Sequence, residues 1–123
     1  MVNLLGFVGR KLKESGICYE YGEWTQVVRY PYFVGSFMES DYRYEDNHTA
    51  GTFTLDGWSR GNGSKLALME AGDKVKEIFQ DLQEMEEGSL FHIRFGGALL
   101  VPTGEEDLSK ITITLFTSEW KGE

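Results

Sequence analysis

Between Tyr30 and Arg60 the side chains alternate in character at a period of two, the spacing of a half-buried β-strand. Tyr32, Val34, Ser36 and Met38 would point one way and Phe33, Gly35, Phe37 and Glu39 the other. On the return, Phe53 and Leu55 share a face opposite Thr52, Thr54 and Asp56. The runs flank a polar centre, Glu45-Asp46-Asn47-His48, suited to a turn, so the pattern predicts a long β-hairpin. Beyond Ser40 the pattern turns polar and tyrosine-rich, which predicts a tip projecting past the core. Pro31 has no N–H for a ladder and should stand at the start of the first strand.

Two stretches follow the helical period instead. Leu4, Val8 and Leu12, with Leu5 beside them, predict a first helix from about Val2 to Ser15. Gly6 and Gly9 weaken it by roughly 1 kcal/mol each relative to alanine, and would let it lie close against a sheet. Gly16 is the expected left-handed residue after its end, with Ile17 returning to the core. Leu68, Ala71, Val75, Ile78, Phe79 and Leu82 predict a second helix from about Lys65 to Met85, capped by Asn62 or Ser64. Glu70 and Lys74 form an i,i+4 pair worth ~0.3 kcal/mol. Glu84, Glu86 and Glu87 crowd the negative end of that helix, an unfavourable placement, and Gly88 would end it.

Shorter strands fill the rest. Ile17–Tyr21 is one candidate, and Trp24–Val28 is an extended loop or another. Leu90–Phe95 has Phe91, Ile93 and Phe95 inward, Gly96-Gly97 marks a bulge or tight turn, and Ala98–Val101 continues. Lys110–Thr117 places Ile111, Ile113 and Leu115 on one face. The expected architecture is one α+β domain over residues 1–123. An antiparallel sheet with a long β-hairpin carries two packed helices in the order α-β-β-β-α-β-β, with two or three strands after the second helix.

Composition narrows the function. A net charge of −8 disfavours direct binding of nucleic acid, which relies on basic groups meeting phosphates. No apolar run is long enough to span a bilayer as a helix. The N-terminal ten residues lack a basic leader, so a signal peptide is not expected. The single cysteine, Cys18, excludes an intrachain disulfide and fits a reducing compartment. Its strand-like setting predicts a small core residue rather than a nucleophile.

Gly61-Asn62-Gly63-Ser64-Lys65 before a helix invites a phosphate-loop reading, but the order Gly-Ser-Lys and the spacing are wrong, and a glycine-rich helix entry suffices. Glu39, Asp41, Glu45, Asp46 and His48 could gather a divalent metal or act as acid and base. A solvated hairpin tip explains them without a ligand, and His92 reads as an outward or satisfied histidine. Neither a zinc pattern nor a nucleophile–histidine pattern stands out, so no enzyme and no cofactor is expected. The aromatic residues Trp24, Tyr42, Tyr44, Trp58 and Trp120 remain, some of them expected in the core and the others on the surface. Tyrosine suits protein contacts, which makes Asp41, Tyr42, Arg43, Tyr44, Glu45 and Asp46 the candidate interface.

A series of segments then points to a family: Lys13-Glu14-Ser15-Gly16-Ile17, Tyr21-Gly22-Glu23-Trp24, Tyr30-Pro31-Tyr32-Phe33-Val34-Gly35, Gly51-Thr52-Phe53-Thr54-Leu55-Asp56-Gly57-Trp58-Ser59-Arg60-Gly61, Val101-Pro102-Thr103-Gly104 and Glu119-Trp120-Lys121. The series, which spans nearly the whole chain, resembles small structural proteins of long-tailed phages and prophages, of the tail-completion or head–tail joining type. None of these segments is catalytic. The resemblance implies a subunit of a six-membered ring between head connector and tail tube. Its partners would be neighbouring copies and other head and tail proteins, not nucleic acid or membrane. It would be a monomer before assembly, located in the virion and, during assembly, in the host cytoplasm. Other head-completion and tail-tube subunits share its size and class. The alternative is a small cytoplasmic binding module or regulator that uses the same hairpin on a host partner.

Overall fold

The computed structural model describes residues 2–40 and 48–122. The chain runs α1 (Val2–Glu14), β1 (Tyr19–Tyr21), β2 (Tyr32–Glu39), β3 (His48–Arg60), α2 (Ser64–Phe79), β4 (Asp81–Glu86), β5 (Ser89–Val101) and β6 (Leu108–Lys121). Three strands therefore follow α2, the larger of the two expected numbers. All six strands form one sheet in the order β1-β2-β3-β6-β5-β4. Every neighbouring pair is antiparallel except β1 and β2, which are parallel through Tyr19↔Phe33 and Tyr21↔Gly35.

The period-two readings of the hairpin hold. Phe33 on β2 and Phe53 and Leu55 on β3 are buried, and Tyr32, Val34, Thr52, Thr54 and Asp56 take the other face. Ile111, Ile113 and Leu115 on β6 join the same core with Phe91 and Ile93 on β5. β5 passes through Gly96-Gly97 as a single strand with a register shift between Phe95 and Gly97, the bulge alternative. Both helices supply apolar residues to this core, α1 through Leu4, Phe7, Val8 and Leu12 and α2 through Leu68, Val75 and Phe79.

The end of α1 follows the expected motif. Gly16 has φ 81°, its N–H donates to Lys13 O at 3.0 Å, and Ile17 N–H donates to Leu12 O at 3.1 Å. These are the paired bonds of a Schellman ending, and they return Ile17 to the core. Close approach is needed at Gly9, where a β-carbon would lie 3.2 Å from Cε2 of Tyr19 on β1. Two residues earlier, Phe7 stacks on Phe91 of β5 with ring centroids 4.4 Å apart. In a flat sheet β1 and β5 would stand about 19 Å apart, and α1 bridges that distance through these two ring contacts. Gly6 is different: it faces solvent, and a β-carbon there meets nothing within 4 Å. Gly6→Ala is thus expected to raise stability by about 0.5–1 kcal/mol, read as a higher urea midpoint with an unchanged slope.

Other expectations need correction. The second helix ends at Phe79 rather than Met85, and residues 81–86 form β4, paired with β5 from Asp81↔Arg94 to Glu86↔Ser89. Glu87 and Gly88 have φ 50° and 81°, both positive, as a two-residue turn between antiparallel strands requires. Leu, Gln, Glu and Met favour a helix, but pairing with β5 outweighs that weak preference. It also spares three acids a place at a negative helix end: Glu84 pairs with Lys11 at 2.8 Å, and Glu86 pairs with Arg10.

At the start of α2, neither Asn62 nor Ser64 caps the helix. Gly63 stands at the cap with φ 76°, and the Ser64 hydroxyl is buried 2.8 Å from that of Ser109. Glu70 and Lys74 do not pair; the Lys74 ammonium donates to Ser15 O at 3.1 Å, at the carbonyl-rich end of α1. Trp24–Val28 is a loop.

Candidate functional site

The helices pack on one face of the sheet, and among the described residues no helix or strand covers the other. This second face contains the hairpin, and the cross-strand register fixes its pattern. Tyr32 lies opposite Trp58, and Trp58 opposite Lys110. The Tyr32 and Trp58 rings stack at 5.3 Å, Trp24 reaches Tyr32 at 5.0 Å from its loop, and Lys110 Nζ sits 5.3 Å from the Trp58 centroid. Glu20 anchors that loop by accepting from the Thr25 backbone N–H at 2.9 Å and its hydroxyl at 2.7 Å. The backbone bond first, then the hydroxyl, holds Glu20 below its ordinary carboxylate range. Its contribution is therefore present above the ordinary carboxylate range and is lost as pH falls through the depressed value.

Further along the same face, Thr52 and Thr54 sit across from Phe116 and Thr114, and Asp56 accepts from the Thr112 hydroxyl at 2.7 Å. Met38, Met85, Phe116 and Trp120 are exposed there. Large apolar side chains left in water on a sheet face are the features of this molecule most suited to contact with another protein. None of the aromatic surface residues Trp24, Trp58 and Trp120 enters the core.

The sequence-predicted interface, Asp41, Tyr42, Arg43, Tyr44, Glu45 and Asp46, lies outside the described residues. The arms leading to it are paired up to Glu39↔Gly51, and Ser40 N–H still donates to Ala50 O at 2.7 Å. His48, expected in the polar tip, is the first residue of β3 and stacks on Trp120 with centroids 4.3 Å apart. Of the proposed acidic group, Glu39 and His48 are described. Among the described residues no cluster of three or more histidine, cysteine or acidic side chains has a geometry that could hold a metal.

Cys18 is exposed, not in the core. Alternation explains it: Ile17 and Tyr19 take the inward positions on either side, so Cys18 must face out. Tyr19 is buried, and burial pushes its phenol well above the ordinary range. His92 faces outward and is satisfied, its Nε2 lying 2.7 Å from Oδ1 of Asp81. The register sets Ser118 across from His92, a juxtaposition the linear sequence conceals. Among the described residues the Ser118 hydroxyl makes no hydrogen bond to His92, so the nucleophile–base contact that acyl transfer uses is not formed.

Sequence reasoning missed two polar features. Arg60 donates to Asp107 at 2.9 Å and Glu105 at 3.1 Å, pinning the β5–β6 loop, and its bonds to Tyr30, Glu105 and Asp107 raise its pKa. Glu119 is fully buried: Oε2 accepts from the Ser89 hydroxyl at 2.9 Å, and Oε1 has no partner among the described residues. The signal was present, because Ile111, Ile113, Leu115, Thr117 and Glu119 continue one inward series.

No protein-family model matches the chain, and no curated protein matches it.

Proposed function

We propose that this protein is a non-enzymatic structural subunit of a long-tailed phage or prophage, of the tail-completion or head–tail joining type. The observation that carries the proposal is the series of segments from Lys13 to Lys121 that resembles those proteins. The uncovered sheet face supports it, since Met38, Phe116 and Trp120 give a subunit apolar surface to bury against neighbours. Residues 41–46, which link β2 to β3 in the sequence, are the contact assigned to those neighbours. A small cytoplasmic binding module would use the same face and hairpin on a host partner.

Replacing Tyr42 and Tyr44 together with serine tests the assignment. Stability of the isolated domain is expected to change by less than about 1 kcal/mol, as surface substitutions do. In complementation of a phage lacking this gene, electron microscopy should show separate heads and tails in place of joined particles. Wild-type numbers of virions from the mutant would reject the hairpin as the assembly contact. Failure of the unmodified gene to be needed for virions at all would favour the binding-module reading.

A further inference from the structure

A second apolar surface lies away from the hairpin, between α2 and the outer half of β5. Met69, Gly72 and Lys76 on the helix and Phe95, Leu99 and Leu100 on the strand line a groove of about 420 Å³. Met69 is 50% exposed, Leu100 40% and Leu66, one turn before Met69, 59%, whereas Leu99, 65% exposed, pairs with Thr112 and turns its side chain to the other face. None of these four contributes to the core. The bulge at Phe95/Gly97 offsets this half of β5 from the register of its first half.

The rim supplies the argument for what covers it. Two copies carrying −8 each repel over most of their surfaces. Along this groove the charges balance instead: Lys76 and Asp73 stand at the Phe95 end, and Lys65 and Glu106 stand at the Leu100 end, where a second hollow continues. Lys76 Nζ lies 5.9 Å from the Phe95 ring centroid, and neither Lys76 nor Glu106 has an ion pair among the described residues. A two-fold axis through the middle of the groove would run the two grooves antiparallel. It would set Met69 and Leu100 of one copy on those of the other, and Lys76 of each opposite Glu106 of its mate. Such a patch is self-complementary, as an isologous contact must be.

We infer that the α2–β5 groove is a homotypic contact that pairs this chain with a second copy, weakly and in a concentration-dependent way. This goes beyond the virion role and does not depend on it. It modifies the monomer expected before assembly: the chain is single when dilute and paired when concentrated.

Sedimentation of the purified full chain from 1 to 500 µM tests it. The expected result is a mass rising from monomer to dimer across that range. Met69→Glu, at a half-exposed helix position in the groove, should weaken pairing at least tenfold while leaving the thermal midpoint of the domain in place. Lys76→Glu should weaken pairing, and Lys76→Glu with Glu106→Lys should restore it. A chain that stays monomeric throughout overturns the inference. So does pairing that survives Met69→Glu, and a double charge exchange that fails to restore association overturns the two-fold arrangement.

Discussion

Phe53→Ala is expected to cost about 3–5 kcal/mol, the largest loss of any single truncation proposed for this protein. Phe53 sits on β3, a central strand hydrogen-bonded to β2 on one side and β6 on the other. Its ring is fully buried, 6.2 Å from the Tyr19 centroid and 6.3 Å from that of Tyr21. It also fills the space over Gly35, where a β-carbon would lie 2.6 Å from Cζ of Phe53. Removing the ring would open a cavity that Gly35, with no side chain, cannot fill. Urea denaturation should give a much lower midpoint with the slope unchanged, in one cooperative transition. A loss below about 1 kcal/mol would mean that the buried face of the hairpin is misassigned.

Gly57→Ala should cost about 3 kcal/mol, although it adds one methyl group and removes no contact. Gly57 pairs with Phe33 across β2 and β3, and a β-carbon on it would overlap Cε2 and Cδ2 of the Phe33 ring. Phe33 is 1% exposed, and overpacking must be relieved by a shift of its ring or by strain in the strands. The cost should belong to the pair. With Phe33→Leu in the background, Gly57→Ala should lose far less, giving a coupling of at least about 1 kcal/mol in a double-mutant cycle. Strictly additive losses would place the conflict elsewhere than at Phe33.

These two residues show why part of the fold was legible and part was not. Alternation along residues 32–39 and 51–60 assigned the buried faces of the hairpin correctly, because a period of two is a property of the strand alone. The pairing of large rings over glycines, Phe33 on Gly57 and Phe53 on Gly35, depends on register between strands. Register is invisible until the partner strand is placed. The same distinction explains β4. Residues 81–86 carry helix-favouring side chains, and only the positive-φ turn at Glu87-Gly88 and the free edge of β5 turn them into a strand.

The candidate site divides in the same way. Trp58 and Trp120 were singled out as surface aromatics, and both lie on the uncovered face or its end. Nothing local joins Trp24 to Tyr32, Asp81 to His92 or Lys76 to Phe95, because each pair is made by chain segments brought together by the sheet.

The sequence by itself determined the two amphipathic helices (though not where the second ends), the left-handed ending at Gly16, the inward positions of the hairpin arms, of Phe91–Phe95 and of Ile111–Leu115, and the α+β class. Each rests on spacing or on the steric freedom of one residue. The tertiary structure alone decided that β1 runs parallel to β2, that residues 81–86 are a strand and that Cys18 faces outward. It also decided that a carboxylate, Glu119, is buried against Ser89. Those outcomes turn on which segments become neighbours. Burial, register and hydrogen-bond satisfaction are summed over the whole packed chain, and a local pattern carries only its own share of that sum.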